Sequence, residues 1–304
     1  MSLTSMLLRV MSKRSDDKRD AGLTTPEGIE RFDNLRYGGD PKWNLLDVYR
    51  PKGMAGKLPV IVSIHGGGWV YGDKERYQYY CMSLAEQGFA VVNFTYRLAP
   101  RHKFPAPLED TNAVFHWLLH NAEIYDIDTT RVFAVGDSAG AQLLALYSCI
   151  CTNPSYAACF DFSAPERFAP TAIALNCGTY EVKFGDKKDL AANLMADYLP
   201  GKGTEEEREL NDVLQHITKG FPPCFVMTCE GDFLVEQAPL LTGRLQELGV
   251  QAEYHYYGDK EHLLGHVFHC DVRSSYAQQC NRDECNFFKS FAEKKGSIAY
   301  TQET

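Results

Sequence analysis

Residues 131–140 read Arg131-Val132-Phe133-Ala134-Val135-Gly136-Asp137-Ser138-Ala139-Gly140. The first half is a short apolar run, the kind that fills a strand buried on both faces of a parallel sheet. From Ala139 to about residue 150 the sequence is strongly helical. A G-x-S-x-G pattern therefore sits at the joint between a strand and a helix. A serine on so sharp a turn projects its hydroxyl above the sheet, and the flanking glycines let strand and helix approach closely enough to make the turn. The helix N-terminus behind it aims N–H groups toward developing negative charge. A tight turn without chemistry is the alternative reading of the same letters, and the strand-to-helix context argues against it.

Upstream, Val60-Ile61-Val62-Ser63-Ile64 is a second buried run, and it leads straight into His65-Gly66-Gly67-Gly68-Trp69. Three glycines after a buried strand leave main-chain N–H groups unobstructed, which suits them to donating to the oxygen of a tetrahedral intermediate. A phosphate loop would need G-x-x-x-x-G-K-[ST] or G-x-G-x-x-G opening a helix, and neither occurs. Further strands are predicted at 45–50, 89–94, 171–175, 224–228 and 253–257, with a strand-like pattern from Ile29. Helices are predicted at 77–87, 110–120, 139–150, 236–248 and about 272–291. Strands alternating with helices imply βαβ crossovers, hence an α/β fold with a mostly parallel central sheet and helices on both faces. No internal repeat or domain-scale linker divides the 304 residues, so one domain is expected. Residues 1–27 read as a short amphipathic helix or a loose arm, which could form a partial cap.

Composition narrows the function classes. The chain is 44% hydrophobic, 12% aromatic and 23% charged, a globular profile. A formal net charge of −9, with no Lys/Arg cluster, argues against a nucleic-acid surface. The ten cysteines lie mostly inside apolar runs without a C-x-x-C pair, which reads as buried free thiols. No stretch approaches the roughly 18 apolar residues of a membrane span, and Arg9 interrupts Met6-Leu7-Leu8 too early for a secretory segment. A cytoplasmic protein with neither a membrane nor a nucleic-acid partner is expected. Its oligomeric state is not legible.

The motifs together resemble the hormone-sensitive-lipase-like family of α/β-hydrolase esterases. The matching residues are His65 to Trp69, Tyr96-Arg97-Leu98-Ala99-Pro100, Phe104-Pro105-Ala106 and Gly136 to Gly140, in family order. The resemblance implies an α/β-hydrolase fold with a small cap insertion, and oxyanion donation from the N–H groups of Gly67, Gly68 and Ala139. It also implies a triad in the order Ser, Asp, His, with no cofactor and no metal. Tyr96, Arg97 and Asp110 match family positions that read as scaffold. Ala141 departs from the family's usual glycine. With only about 27 residues before the first strand, 181–218 becomes the candidate for most of the cap.

A serine hydroxyl is a poor nucleophile until an imidazole takes its proton, and that imidazole needs a carboxylate to fix its tautomer. Asp232, in Glu230-Gly231-Asp232-Phe233-Leu234, matches the family acid; Glu230 is the local competitor. Among His262, His266 and His269, the segment His266-Val267-Phe268 comes closest to the family's base. His262 stands nearer the usual distance from the acid, while His269 is expected to pack on the last helix. The i, i+4, i+7 spacing of the three histidines also raises a zinc helix. Leu263, where a metalloprotease has Glu, and Gly265 speak against it. The expected function is a serine carboxylesterase acting on a small, short-acyl ester. A carbohydrate acetyl esterase or formamidase would share the machinery, and a non-catalytic ligand-binding protein on the same scaffold is the alternative of a different class.

Overall fold

Strands β3 (Leu58–Ile64) and β5 (Ile127–Asp137) lie side by side in parallel, Val60 opposite Val132 and Ile64 opposite Gly136. Successive side chains of a strand point to opposite faces, and here both faces are apolar. Val60, Val62, Val132 and Ala134 enter one core; Ile61, Phe133 and Val135 enter the other. Helices must therefore cover both sides. The computed structural model describes residues 1–181 and 190–294, and in it α3 (Ala106–Asn121), α4 (Ala139–Thr152) and α9 (Gln237–Glu247) feed the first core. Helices α2 (Lys74–Ala85) and α10 (Ser275–Lys294) feed the second.

The remaining strands are β1 (Ile29–Arg36), β2 (Leu45–Pro51), β4 (Ala90–Phe94), β6 (Ala172–Asn176), β7 (Cys224–Cys229) and β8 (Ala252–Tyr257). They form one eight-stranded sheet in the order β1-β2-β4-β3-β5-β6-β7-β8. β2 runs antiparallel to both β1 and β4; every other pairing is parallel. After β3 the chain moves to one side to make β4, then returns across β3 to make β5 and proceeds the other way. That reversal opens a crevice at the carboxyl ends of β3 and β5, where ligands of open α/β sheets bind. The Gly66–Gly68 run and Ser138 both fall there.

The expected elements are present, with shifted ends. Helix α2 begins three residues before the predicted position because the Asp73 side chain accepts from the Arg76 N–H, at 3.0 Å, and caps it. The N-terminal segment is helical: α1 (Leu3–Asp20) is capped by Ser2, whose hydroxyl accepts from the Ser5 N–H. The polar stretch after β6 contributes α6 (Leu190–Tyr198), α7 (Glu205–Asn211) and α8 (Val213–His216), following the short α5 (Pro154–Ala157). Of the expected cap at 181–218, residues 182–189 lie outside the described residues. All ten cysteines are free thiols, and eight of them are buried.

The crossing of β5 and α4 behind β3 is tight enough to require glycine. A methyl group at Gly140 would overlap the carbonyl oxygen of Ile64, and one at Gly136 would lie 2.5 Å from the carbonyl oxygen of Gly140. Gly140→Ala is therefore expected to lower stability by about 1–3 kcal/mol, the usual range for overpacking. Equilibrium urea unfolding measures it; an unchanged midpoint would show that the crossing has slack.

Candidate active site

Ser138 stands between the end of β5 and the start of α4 with φ 52° and ψ −120°, a left-handed conformation that costs a non-glycine residue energy. Its N–H donates to the carbonyl of Asn176 at the end of β6, at 2.9 Å, which fixes the turn from the neighbouring strand. Its side chain and the His266 ring border the same cavity, about 270 Å³ in volume. Ala139 follows as the first residue of α4, so its N–H has no partner within the helix.

The glycine loop closes the same cavity. Gly67 and Gly68 have φ of 110° and 58°, and both border it. A methyl at Gly67 would overlap the Tyr71 carbonyl. Among the described residues no acceptor takes the N–H of either glycine, whereas the Gly66 N–H donates to Tyr77 Oη at 3.0 Å. The Tyr77 hydroxyl in turn donates to Asp137 Oδ2 at 2.7 Å. Asp137, next to the serine, thus points down into the core and fixes the glycine loop through Tyr77. Burial pushes its carboxyl up to about 6, against the opposing hydrogen bond from Tyr77.

Asp232 and His266 meet. The His266 Nδ1–H donates to Asp232 Oδ1 at 2.7 Å. The carboxylate side chain is fully buried and also accepts from the Thr228 hydroxyl at 3.0 Å and the Leu234 N–H at 2.9 Å. Burial alone raises its pKa, but the imidazole and the Leu234 N–H outweigh burial and hold it below the ordinary carboxylate range. An acceptor-only partner on Nδ1 leaves Nε2 of the neutral ring as a bare acceptor. The two loops are stitched by main chain: the Gly231 N–H donates to the Leu264 carbonyl at 3.1 Å, and Glu230 N–H to that of Tyr257 at 3.1 Å. Phe233 packs at a tilt of 45° against the His266 ring, 4.3 Å between centroids.

The competing residues go elsewhere. Glu230 accepts from the Tyr256 hydroxyl near the surface. His262 is exposed and pairs with Asp259 at 3.1 Å. His269 is fully buried, edge-on to Tyr80, with its main-chain carbonyl held by Asn281 of α10; burial pushes its imidazole down to about 3. The three histidines occupy a loop and a short 3-10 turn with divergent surroundings, so the helical zinc arrangement does not form. Two trios among the described residues bring ligand-type atoms within 4.8 Å, Asp137–His269–Cys270 and Cys177–Asp232–His266; in each the carboxylate is already hydrogen-bonded. Tyr96 stacks on His65 at 4.0 Å, and the Arg97 guanidinium holds Asp110 at 2.9 Å, so these motif residues brace the glycine loop and the strand ends.

The pattern of the α/β-hydrolase fold family matches residues 61–266, a span that contains the glycine loop, Ser138, Asp232 and His266. The chain belongs to that family, in its hormone-sensitive-lipase-like branch. As a family member it is similar to esterase LipC of Mycobacterium tuberculosis, 30% identical over 69% of this chain and 54% of that one. It is 26% identical to an acetyl esterase of Salmonella schwarzengrund over 75% of this chain and 71% of that one. Among solved structures, esterase B from Lactobacillus rhamnosis, inhibited by a tributyrin phosphonate, superposes with a TM-score of 0.84 at 28% identity. That match covers 97% of this hydrolase and 98% of esterase B.

Two contributions go beyond the sequence reading, which has 1–27 only as an arm or partial cap and is silent on Glu284. One is α1, which supplies Leu8, Ser12, Ser15, Asp16 and Arg19 to the cavity wall; 181–218 supplies Leu194 among the described residues. The other is Glu284 of α10, fully buried, which accepts from Tyr80 at 2.9 Å and from Asn176 Nδ2 at 2.7 Å. Burial pushes Glu284 up to about 7, against those two hydrogen bonds. A carboxyl raised on folding binds its proton more tightly in the native state, so its contribution to stability is lost as pH rises from about 5 to 7. Glu284→Gln is expected to gain on the wild type across that window by an order of 1–3 kcal/mol. Urea midpoints at the two pH values measure the gap; a constant gap contradicts the raised carboxyl.

Proposed function

We propose that this carboxylic ester hydrolase works by acyl transfer through Ser138, with His266 as general base and Asp232 as the residue that orients it. The observation that carries the proposal is the 2.7 Å hydrogen bond from His266 Nδ1 to a buried carboxylate, in the cavity that Ser138 also borders. In the first step Nε2 of His266 takes the hydroxyl proton as Oγ attacks the ester carbonyl. The tetrahedral oxyanion is held by the N–H groups of Gly67, Gly68 and Ala139, which face no competing acceptor among the described residues. The imidazolium then protonates the departing alkoxide, leaving an acyl-serine and a free alcohol. Water, deprotonated by the same imidazole, releases the carboxylic acid and restores the serine. No step calls on a cofactor.

A cavity of about 270 Å³ suits a small ester, and the phosphonate in esterase B carries short chains by its own description, so short acyl groups are the proposed substrates. Helix α1 and the 181–218 segment serve as the cap over that cavity. One observation favours a second reading of the alcohol portion. The α1 wall presents Ser12, Ser15, Asp16 and Arg19 to the cavity, polar groups that match an acetylated polyol or sugar. Acetylated xylo-oligosaccharides compared with p-nitrophenyl acetate separate the two.

Ser138→Ala is expected to reduce kcat/KM on p-nitrophenyl acetate by at least about 10⁴-fold with an unchanged circular-dichroism spectrum. His266→Ala should match that loss and His262→Ala should leave the rate within about threefold; equal losses would overturn the choice of base. Along a series of p-nitrophenyl esters, kcat/KM should fall by roughly tenfold or more between butyrate and decanoate. A rate that rises with chain length would mean that the cavity is not the acyl site.

A further inference from the structure

Helix α1 is built inside out. Its inward row, Ser5, Arg9, Ser12, Asp16 and Arg19, is polar. Ser5 donates to Asp197 at 2.6 Å, Arg9 to the carbonyls of Val70 and Ala99 at 2.6 and 2.9 Å, and Arg19 to that of Arg76 at 2.6 Å, while Asp16 accepts from Tyr71 at 2.7 Å. Its outward row is apolar: Leu3, Met6, Leu7, Val10 and Met11 recur at i, i+3, i+4, i+7 and i+8, each between 46% and 69% exposed. A helix that rests on a globular protein normally turns that stripe inward. An exposed apolar stripe of this size marks a surface that meets something apolar.

We propose that α1 lies on an anionic lipid surface and holds the cavity mouth against it. Three observations select that occupant. The apolar row continues along the same face into Arg14 and Lys18, four and seven residues beyond Val10 and Met11 respectively, and both are exposed with no protein partner among the described residues. Helix α1 carries five basic and three acidic residues in a chain of formal net charge −9, so positive charge concentrates where the stripe is. An apolar groove of about 500 Å³ along Leu7 and Met11 shares Leu8, Ser12 and Ser15 with the Ser138 cavity, which joins the outward face to the site. Apolar side chains at the acyl boundary with Lys and Arg among the headgroups are the pattern of helices that lie in the interface plane. The sequence expectation of no membrane partner rested on the length of a span. Among the described residues no helix is long and apolar enough to cross a membrane, and lying on one requires no span.

Vesicle co-sedimentation of the full chain, without substrate, tests the proposal independently of the reaction chemistry. The wild type is expected to sediment with phosphatidylglycerol vesicles at low salt, and much less with phosphatidylcholine or at high salt. The double variant Leu7→Glu/Met11→Glu should lose binding by roughly tenfold or more while p-nitrophenyl acetate turnover stays within about twofold. Arg14→Glu/Lys18→Glu, both exposed, repeats the test by charge should the first variant fail to fold. Wild type that stays in the supernatant, or variants that bind as the wild type does, overturn the proposal. So does light scattering that finds a wild-type dimer which Leu7→Glu/Met11→Glu makes monomeric without any vesicle binding.

Discussion

The left-handed turn at Ser138 couples the sheet to the site. β5 must end, reverse and enter α4 within a few atoms of β3, and only glycine at 136 and 140 leaves room for that crossing. Once the crossing is made, several consequences follow without further side chains. The serine hydroxyl is lifted into the crevice between β3 and β5, the first N–H of α4 faces the same space, and the Asp137 side chain is forced downward. Strain at φ 52° persists because neighbours over-determine it: the Asn176 carbonyl holds the Ser138 N–H, and Glu284 holds the Asn176 amide. A buried carboxyl raised to about 7 is the local cost of that support.

The acid and base are secured in a different way. Their loops follow β7 and β8, at the far edge of the sheet, where no helix crossing dictates geometry. Main-chain bonds from Glu230 and Gly231 to the Tyr257 and Leu264 carbonyls prolong the β7–β8 pairing beyond the strands themselves. Asp232 then has little freedom, since the Thr228 hydroxyl and the Leu234 N–H hold its two oxygens as well. A short hydrogen bond to a carboxylate fixes which imidazole nitrogen carries the proton. The elbow and the acid–base pair are thus held by separate loops, and their relative placement depends on the strands between them.

Much of this was legible in the residues because it follows from local rules. The alternation of apolar runs with helical periodicity specified a doubly covered sheet, and G-x-S-x-G at a strand–helix joint specified the elbow. Asp232 and His266 were legible only through resemblance, as nothing local separates His266 from His262 or His269; burial and pairing separate them in the fold. Asp137 stood inside the quoted motif, yet its hydrogen-bond partner, Tyr77, lies sixty residues away in the chain. Glu284 carried no signal: a glutamate on a mostly polar helix reads as surface until the sheet closes over it. For α1 the two rows were present in the letters, but which row faces inward is decided by the carbonyls of Val70, Ala99 and Arg76, a tertiary fact.

The central chemical claim is that an ester's acyl group passes through the Ser138 oxygen. Rapid-quench mass spectrometry of the enzyme during p-nitrophenyl butyrate turnover tests it most directly. A butyryl adduct on the peptide containing Ser138, appearing and decaying at rates consistent with steady-state turnover, is the predicted result. Turnover at full rate with the adduct on another residue, or with no adduct under conditions where the serine is otherwise labelled by an organophosphate, would contradict it.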